Sequence, residues 1–356
     1  MDFKSYLDVA AKEIDQEIDR FFDVWEKEVS EVSPTLVPLA KVLRENCHGG
    51  KRLRGSLVKL GYELVGANLP AGRQGLDHLE GGQEILKVAA AVEIFQTAIL
   101  AHDDIIDQSP LRRGKPTIYR QLGGDHYAIS QTIALADIGF FLTVKLISTA
   151  NFPADLKNKA ISSFAQTVIN TGLGEVLDVE LPHLEGERKE EDVVTIHKLK
   201  TSYYTIIDPL QLGAILAGAD DNSLKAIEEF GEALGIAFQI TDDILGVFGD
   251  EETLGKSVTS DIEEGKNTLL ITEALQKATP EQRIILDKYY GKGDMGEEGL
   301  KAIRKVFMDT GSLDFSRQEA LKYVELAKKV VPEITRDWES TELLSQMADF
   351  LVNREK

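Results

Sequence analysis

Apolar residues recur three and four positions apart along nearly the whole chain, and no stretch alternates apolar with polar residues long enough to build a sheet. The pattern predicts an all-α protein. Helices are expected at about 3–29, 34–46, 52–66, 84–108, 126–149, 154–181, 190–218, 222–247, 263–277, 281–290, 297–310, 314–330 and 337–354. Glycine, proline and polar clusters fall between them, at 68–82, 182–192 and 291–299. The first is long for a helical connection and carries no evident chemistry, so residues 67–82 read as a surface insertion. Pro209 sits inside a helical pattern and predicts a kink just before it. A chain of 356 residues can form two domains or bury one large helical core, and no segment resembles an interdomain linker. One domain over 1–356 is the expectation.

Charge limits the partners. With 40 Lys and Arg against 60 Asp and Glu, the net charge of −20 opposes general attraction to nucleic acid or anionic lipid. An anionic ligand must then be held by local cations or by metals. The lone cysteine, Cys47, excludes an intramolecular disulfide framework and a thiolate zinc cluster. The N-terminus is amphipathic and acidic, unlike a secretory or transit peptide. The apolar run at 133–150 is interrupted by Asp137 and Lys145, which favours a buried core helix over a membrane span. A soluble cytoplasmic protein without membrane insertion or a nucleic-acid partner is expected.

Against this background "ILAHDDIIDQSPLRRGKPT" at 99–117 stands out, because it gathers Asp103, Asp104 and Asp107 and follows them with Arg112 and Arg113. At helical spacing the three carboxylates converge on one side, where their repulsion calls for countercharge. A hard divalent cation is an economical one, and Mg²⁺ typically uses one or two carboxylates plus ligand phosphates. A solvated acidic face is the bland alternative. A second cluster weakens it: Asp242 and Asp243 end another apolar helical run, with Gln239 three and four residues earlier and Asp250, Lys256, Asp261 and Lys266 following. "GGKRLRG" at 49–55 supplies Lys51, Arg52 and Arg54 after a glycine pair at a helix start, where free amides and the dipole favour an anion. Together with Arg112 and Arg113 these cations suit a second anion site that needs no metal.

These motifs, in order, resemble the trans-isoprenyl diphosphate synthases, the polyprenyl synthetase family. The matches are GGKRLR at 49–54, DDIID at 103–107 with LRRGKPT behind it, LKT at 199–201, FQITDD at 238–243 and GK…D…GKNT at 255–268. The resemblance implies a single-domain helical bundle around a central cavity and an Mg²⁺-dependent prenyltransferase that joins isopentenyl diphosphate to an allylic diphosphate. By the same resemblance, Asp103, Asp104, Asp107, Asp242 and Asp243 are metal ligands for three Mg²⁺ ions. Arg112, Lys200 and Lys266 contact the allylic diphosphate, Lys51, Arg54, Arg113 and Gln96 hold isopentenyl diphosphate, and Lys256 is a further substrate-binding cation. Thr201 and Gln239 line the allylic site and help stabilise the cation formed there. The departing diphosphate is the implied base, so no side chain is assigned that role, and His102 is assigned to packing or hydrogen bonding beside the site. A homodimer is implied as well.

Two positions depart from the family pattern: Gly246, where many relatives have a third aspartate, and Glu175, where glutamine is commoner. Product length should be set on the helix leading to Asp103. Ala98 and Ile99, five and four residues before it, lack the aromatic block of fifteen-carbon synthases, while Phe95, one turn deeper, offers a lower floor. Geranylgeranyl diphosphate or one unit longer is the expected product. A long-chain synthase for a quinone side chain, a class I terpene cyclase, a non-catalytic regulatory subunit and an unrelated acidic scaffold stay open on the sequence, although Lys51, Arg54 and Arg113 count against the cyclase.

Overall fold

A computed structural model describes residues 1–68, 78–184, 188–250, 258–293 and 295–353. In chain order the helices are α1 (Phe3–Val32), α2 (Val37–Cys47), α3 (Leu53–Asn68), α4 (His78–Ile106), α5 (Ile118–Gln121), α6 (His126–Thr149), α7 (Ala154–Glu180), α8 (Glu190–Ile196), a π-helical segment (His197–Ile207) and α9 (Asp208–Leu216). They continue as α10 (Asp221–Phe248), α11 (Ser260–Glu263), α12 (Leu269–Lys277), α13 (Pro280–Tyr289), α14 (Gly296–Asp309), α15 (Ser312–Ile334) and α16 (Trp338–Val352). One antiparallel hairpin interrupts the all-α pattern, β1 (Leu111–Arg112) against β2 (Lys115–Pro116). Its turn residues Arg113 and Gly114 both have positive φ, 53° and 72°, the backbone that two-residue hairpins require.

The chain forms two compact units, residues 1–166 with 208–227 and 332–343, and residues 167–207 with 228–331 and those from 344 on. In the first unit α1 shows how spacing becomes structure. Phe3, Leu7, Ala10, Ile14, Ile18 and Phe22 bury one stripe, and Asp2 caps the helix by accepting from Ser5 N at 2.7 Å. At the centre lies α4, with Ile85, Val88, Ala89, Val92, Ile94, Phe95 and Ala98 all buried. Its alanines let α6 approach: a Cβ on Gly139 would stand 2.7 Å from Ala98 Cβ, and Thr143 Oγ1 donates to Ala91 O at 3.0 Å. The crossing of α3 and α9 is closer still. A Cβ on Gly61 would meet Leu210 O at 2.0 Å, and one on Gly213 would meet Val58 O at 1.9 Å.

The second unit has two apolar clusters. One gathers Val247, Ile262, Leu270, Ile271, Ile303 and Phe307 around the C-terminal end of α10, and the other joins Val193, Ile236, Ile240, Leu269 and Ala320. Thr279 and Gln282 form a reciprocal capping box at the start of α13.

Four expectations need correction. The helix placed at 84–108 begins at His78, so 78–82 of the supposed insertion are helical, and 69–77 lie outside the described residues. The helix expected at 190–218 is α8, eleven residues of π-helix and α9. Pro209 has no N–H for the i→i−4 ladder, and the irregularity is spread over wide turns before it rather than taken in one sharp kink. The hairpin escaped the periodicity because two-residue strands have no period. Finally, α6 is no buried core helix: it covers Leu135, Ala136, Gly139, Leu142 and Ile147 but exposes Ile133, Ile138 and Phe141. Residues 81–106 and 126–149 are both long and apolar enough to cross a membrane; the first is 67% buried within the protein and the second 39%.

The glycine crossing predicts a stability contrast within one helix. Alanine gains about 0.5–1 kcal/mol over glycine in a helix interior, but at Gly61 the new Cβ meets backbone that cannot step aside. Gly61→Ala should lose roughly 2 kcal/mol or more in urea unfolding. Gly66→Ala, on the same helix with nothing described within 4 Å, should be neutral or slightly stabilising; equal midpoints for the two variants would refute the crossing.

Candidate active site

In the first unit the glycine pair before α3 builds a cavity. Gly49, Gly50 and Arg52 all have positive φ (85°, 93° and 52°), which turns the chain sharply before the helix. The missing side chain of Gly50 leaves room for Arg113, whose Nη1 would stand 2.9 Å from a Cβ there and donates to Gly49 O at 3.0 Å. A cavity of about 290 Å³ opens beside this contact, lined by the Gly49–Gly50 turn, Arg52, Glu93, Gln96, Asp104, Arg112 and Arg113 among others. Of the cations expected here, Arg112 and Arg113 line the cavity. Lys51 is exposed and does not line it, whereas Arg54 is buried and reaches it through Gln96. In the amide orientation that satisfies both neighbours, Gln96 donates to Glu93 Oε2 at 3.2 Å and accepts from Arg54 Nη1 at 2.8 Å.

Arg52, read from the sequence as one of the anion-site cations, is instead held by carboxylates, and Glu93 is the residue here that motif reading passed over. Arg52, 3% exposed, donates from Nε to Asp15 Oδ1 at 2.7 Å and lies 3.6 Å from Glu93 Oε2. Glu93 in turn accepts from Gly55 N at 2.8 Å. This ionic chain, buried at Arg52 and Glu93, fixes the turn that carries Lys51 and Arg54. The only signal available in the sequence was a single carboxylate inside the apolar run AVEIFQTAILA.

At the end of α4 the first aspartate cluster meets the hairpin. Arg112 spans two of its members, with Nη2 on Asp103 Oδ2 at 2.8 Å and Nε on Asp104 Oδ1 at 2.7 Å. Asp107 follows Asp103 by one turn, its N–H donating to Asp103 O at 2.8 Å. Asp104 is buried, and burial pushes its carboxyl up to about 6 against the pull of Arg112, with Asp103 and Asp107 adding to the rise. Burial likewise lowers the Arg113 guanidinium below its ordinary range. His102 has the packing role expected of it. Its ring stands edge-on to Phe140, with centroids 5.4 Å apart, and its Nε2 lies 3.4 Å from Ile133 O.

The second unit carries the other predicted residues. Lys200 and Thr201 sit on the π-helical segment and turn to different neighbours. Lys200 Nζ is 2.8 Å from both Glu175 and Asp178, so the departure at Glu175 supplies a second carboxylate to this lysine. Thr201 Oγ1 donates to Gln239 Oε1 at 2.7 Å, and Gln239 Nε2 donates to Asp243 Oδ1 at 2.8 Å. The other oxygen of Asp243 is 3.0 Å from Nε2 of buried His197, a partner no motif announced. Burial raises the Asp243 carboxyl, with His197 and Gln239 opposing. Asp242 is half-buried one position earlier. A Cβ on Gly246 would come within 2.3 Å of Asp261 Oδ2, so a carboxylate from elsewhere in the chain occupies the space beside that departure. Lys266 Nζ is 3.6 Å from Asp261 and 3.2 Å from Glu264. Lys256 lies outside the described residues.

The donor chemistry fits a hard cation: the aspartates offer oxygen only, two of them one helical turn apart on α4, and buried Asp104 and Asp243 have raised affinity for a compensating positive charge.

Asp104 gives a pH dependence with a definite sign. Its folded value of about 6 lies above the ordinary 3.8, so the folded state holds this proton more tightly. The resulting stabilisation is present below pH 3.8 and is lost as pH rises to about 6, a change of about 3 kcal/mol at 1.36 kcal/mol per unit. In metal-free buffer Asp104→Asn should flatten the urea stability profile of the protein over that window. An unchanged slope would remove Asp104 as its source.

Comparison with known proteins places the chain in a family. The family model described as polyprenyl synthetase matches residues 37–307. The chain is similar to a short chain isoprenyl diphosphate synthase of Methanothermobacter thermautotrophicus, 33% identical over 307 residues that cover 86% of this chain and 87% of that one. It is also 33% identical to a geranylfarnesyl diphosphate synthase of Aeropyrum pernix over 312 residues, 86% and 91% of the two chains. Among solved structures it is similar to the geranylgeranyl pyrophosphate synthase of Corynebacterium glutamicum complexed with isoprenyl diphosphate and magnesium, with TM-score 0.89, 27% identity and coverage of 99% and 100%. The chain belongs to the polyprenyl synthetase family and is an isoprenyl diphosphate synthase, a transferase.

Proposed function

We propose that this enzyme condenses isopentenyl diphosphate with an allylic diphosphate to give all-trans geranylgeranyl diphosphate or the product one unit longer. The observation that carries the reading is the cationic cavity of the first unit, which shares Asp104 and Arg112 with the aspartate cluster and so sets an anion pocket directly beside a cation site. In this reading Arg113, Gln96, Arg54 and Lys51 hold the diphosphate of isopentenyl diphosphate. Arg112, Lys200 and Lys266 bind the allylic diphosphate and draw charge from it as its carbon–oxygen bond breaks, and Lys256 is a further substrate-binding cation. Asp103, Asp104, Asp107, Asp242 and Asp243 would hold three Mg²⁺ ions, which would supply positive charge to neutralise the departing diphosphate. Thr201 and Gln239, already hydrogen-bonded to each other, present oxygen toward the allylic cation. The double bond held alongside attacks that cation, a gain from orientation, and the new cation loses a proton to the departed diphosphate, which restores a double bond. No side chain is required as nucleophile or base.

The whole chain acts as one catalytic domain in the cytoplasm, as a homodimer. The exposed apolar face of α6, with Tyr127, Ile133, Ile138 and Phe141, supports an interface on the first unit, and Ile169, Leu173 and Val176 of α7 support one on the second.

Product length rests on an aromatic floor in the first unit. Phe95 is 1% exposed, stands edge-on to Phe164 with centroids 4.9 Å apart and lies 5.3 Å from Phe140. One turn nearer the aspartates, Ala98 and Ile99 leave this layer uncovered by any ring of their own. With farnesyl diphosphate, radiolabelled isopentenyl diphosphate and Mg²⁺, the products should be mainly geranylgeranyl and geranylfarnesyl diphosphates. Phe95→Ala should shift them to longer chains. Products of eight or more units from the unaltered enzyme would refute the floor, and no Mg²⁺-dependent incorporation would refute the reaction.

A further inference from the structure

Arg188 is hydrogen-bonded to neutral oxygens of the chain. Its guanidinium is largely removed from water, and among the described residues no carboxylate pairs with it. Its partners are neutral oxygens of one short segment. Nη1 donates to Gly265 O at 2.8 Å and to Lys266 O at 3.3 Å, and it is hydrogen-bonded to the side-chain oxygen of Asn267. The guanidinium carbon lies over the Tyr290 ring, 5.5 Å from its centroid, and the Tyr290 hydroxyl donates to the same Lys266 carbonyl at 2.6 Å. From the other side Lys266 N donates to Asp261 O at 3.0 Å. Gly265, at φ +73°, packs so tightly that a Cβ would stand 2.9 Å from Gly291 Cα.

Removing part of a guanidinium from water is costly, and stability alone is served as well by an apolar group of similar shape. Here the charge adds two things an apolar group lacks. It fixes the backbone of Lys266 through the donors of Nη1, and it places a positive charge next to the lysine that no carboxylate among the described residues pairs with. Arg188 also lies two residues before α8, which leads into the π-helical segment bearing Lys200 and Thr201. One side chain therefore ties the entry of that helix to the Gly265–Asn267 loop.

We propose that Arg188, backed by Tyr290, is a positioning residue that sets Lys266 for the allylic diphosphate. The inference rests on the assignment of Lys266 to that diphosphate made above. In Lys266→Ala the KM for farnesyl diphosphate should rise about tenfold or more, with the KM for isopentenyl diphosphate held within about twofold. Arg188→Met, which keeps the packing on Tyr290 but removes the donors, should show the same split. The double variant should be no worse than Lys266→Ala, because the two residues act on one contact. Arg188→Lys should recover part of the loss, and Tyr290→Phe should produce a smaller shift in the same direction, which serves if Arg188→Met does not fold. Calorimetric affinity for inorganic diphosphate with Mg²⁺ should fall in the same order across the variants. If Lys266→Ala shows the split while Arg188→Met and Tyr290→Phe do not, or if the double variant loses the product of the two single effects, the positioning role is wrong. A silent Lys266→Ala removes the assignment of Lys266 and this inference with it.

Discussion

A carboxylate only 3% exposed, next to a second in sequence and three positions from a third, has to be compensated close by, because repulsion and desolvation act in the same direction. Arg112 does this for Asp104 and Asp103 with two donors of one planar group. The hairpin follows from that requirement. Arg112 must turn back onto the end of α4 within a few residues, and a two-residue strand with Arg113 and Gly114 in the turn is a short way to do it. The same turn aims Arg113 at the Gly49–Gly50 loop, so one local solution to charge repulsion also places a cation in the cavity that the loop lines.

The second unit meets the same constraint with other partners. Lys200 is shared by Glu175 and Asp178, and Asp243 is held by Gln239 and His197. Charges in both units are matched within hydrogen-bond reach, and cooperative polar networks of this kind are fixed in geometry because an unmatched member is expensive. Arg188 differs in that its partners among the described residues are neutral oxygens of the Gly265–Asn267 segment.

The sequence disclosed what is local. Helix periodicity, the glycine pair, the aspartates and the basic pair of the hairpin are patterns within a few residues, and helical spacing alone placed Asp103 and Asp107 one turn apart. What stayed hidden was pairing across the chain. Arg52 with Asp15 and Glu93 joins residues about forty positions apart, and Arg188 with Lys266 spans nearly eighty; nothing in local periodicity marks such partners. Glu93 reads as an oddity in an apolar run until its partners are known. The π-helical segment was hidden for a related reason. Wide turns keep helical composition, so only hydrogen bonding in three dimensions separates them from an α-helix with a proline in it.

Close backbone approach is the other long-range property that sequence conceals. Gly235 and Gly231 on α10 and Gly174 on α7 all lie against the π-helical segment: a Cβ on Gly174 would stand 2.5 Å from Lys200 N, one on Gly235 2.5 Å from Ser202 Cα, and one on Gly231 2.7 Å from Ile207 Cγ1. In sequence each is an ordinary helical glycine with a propensity cost of about 1 kcal/mol. In the fold they admit a helix wider than an α-helix between its neighbours. The reach of Lys200 and Thr201 is thereby set by residues that carry no chemistry, on two other helices. The placement of side chains in this segment depends on where neighbouring side chains are missing as much as on where charged ones are supplied.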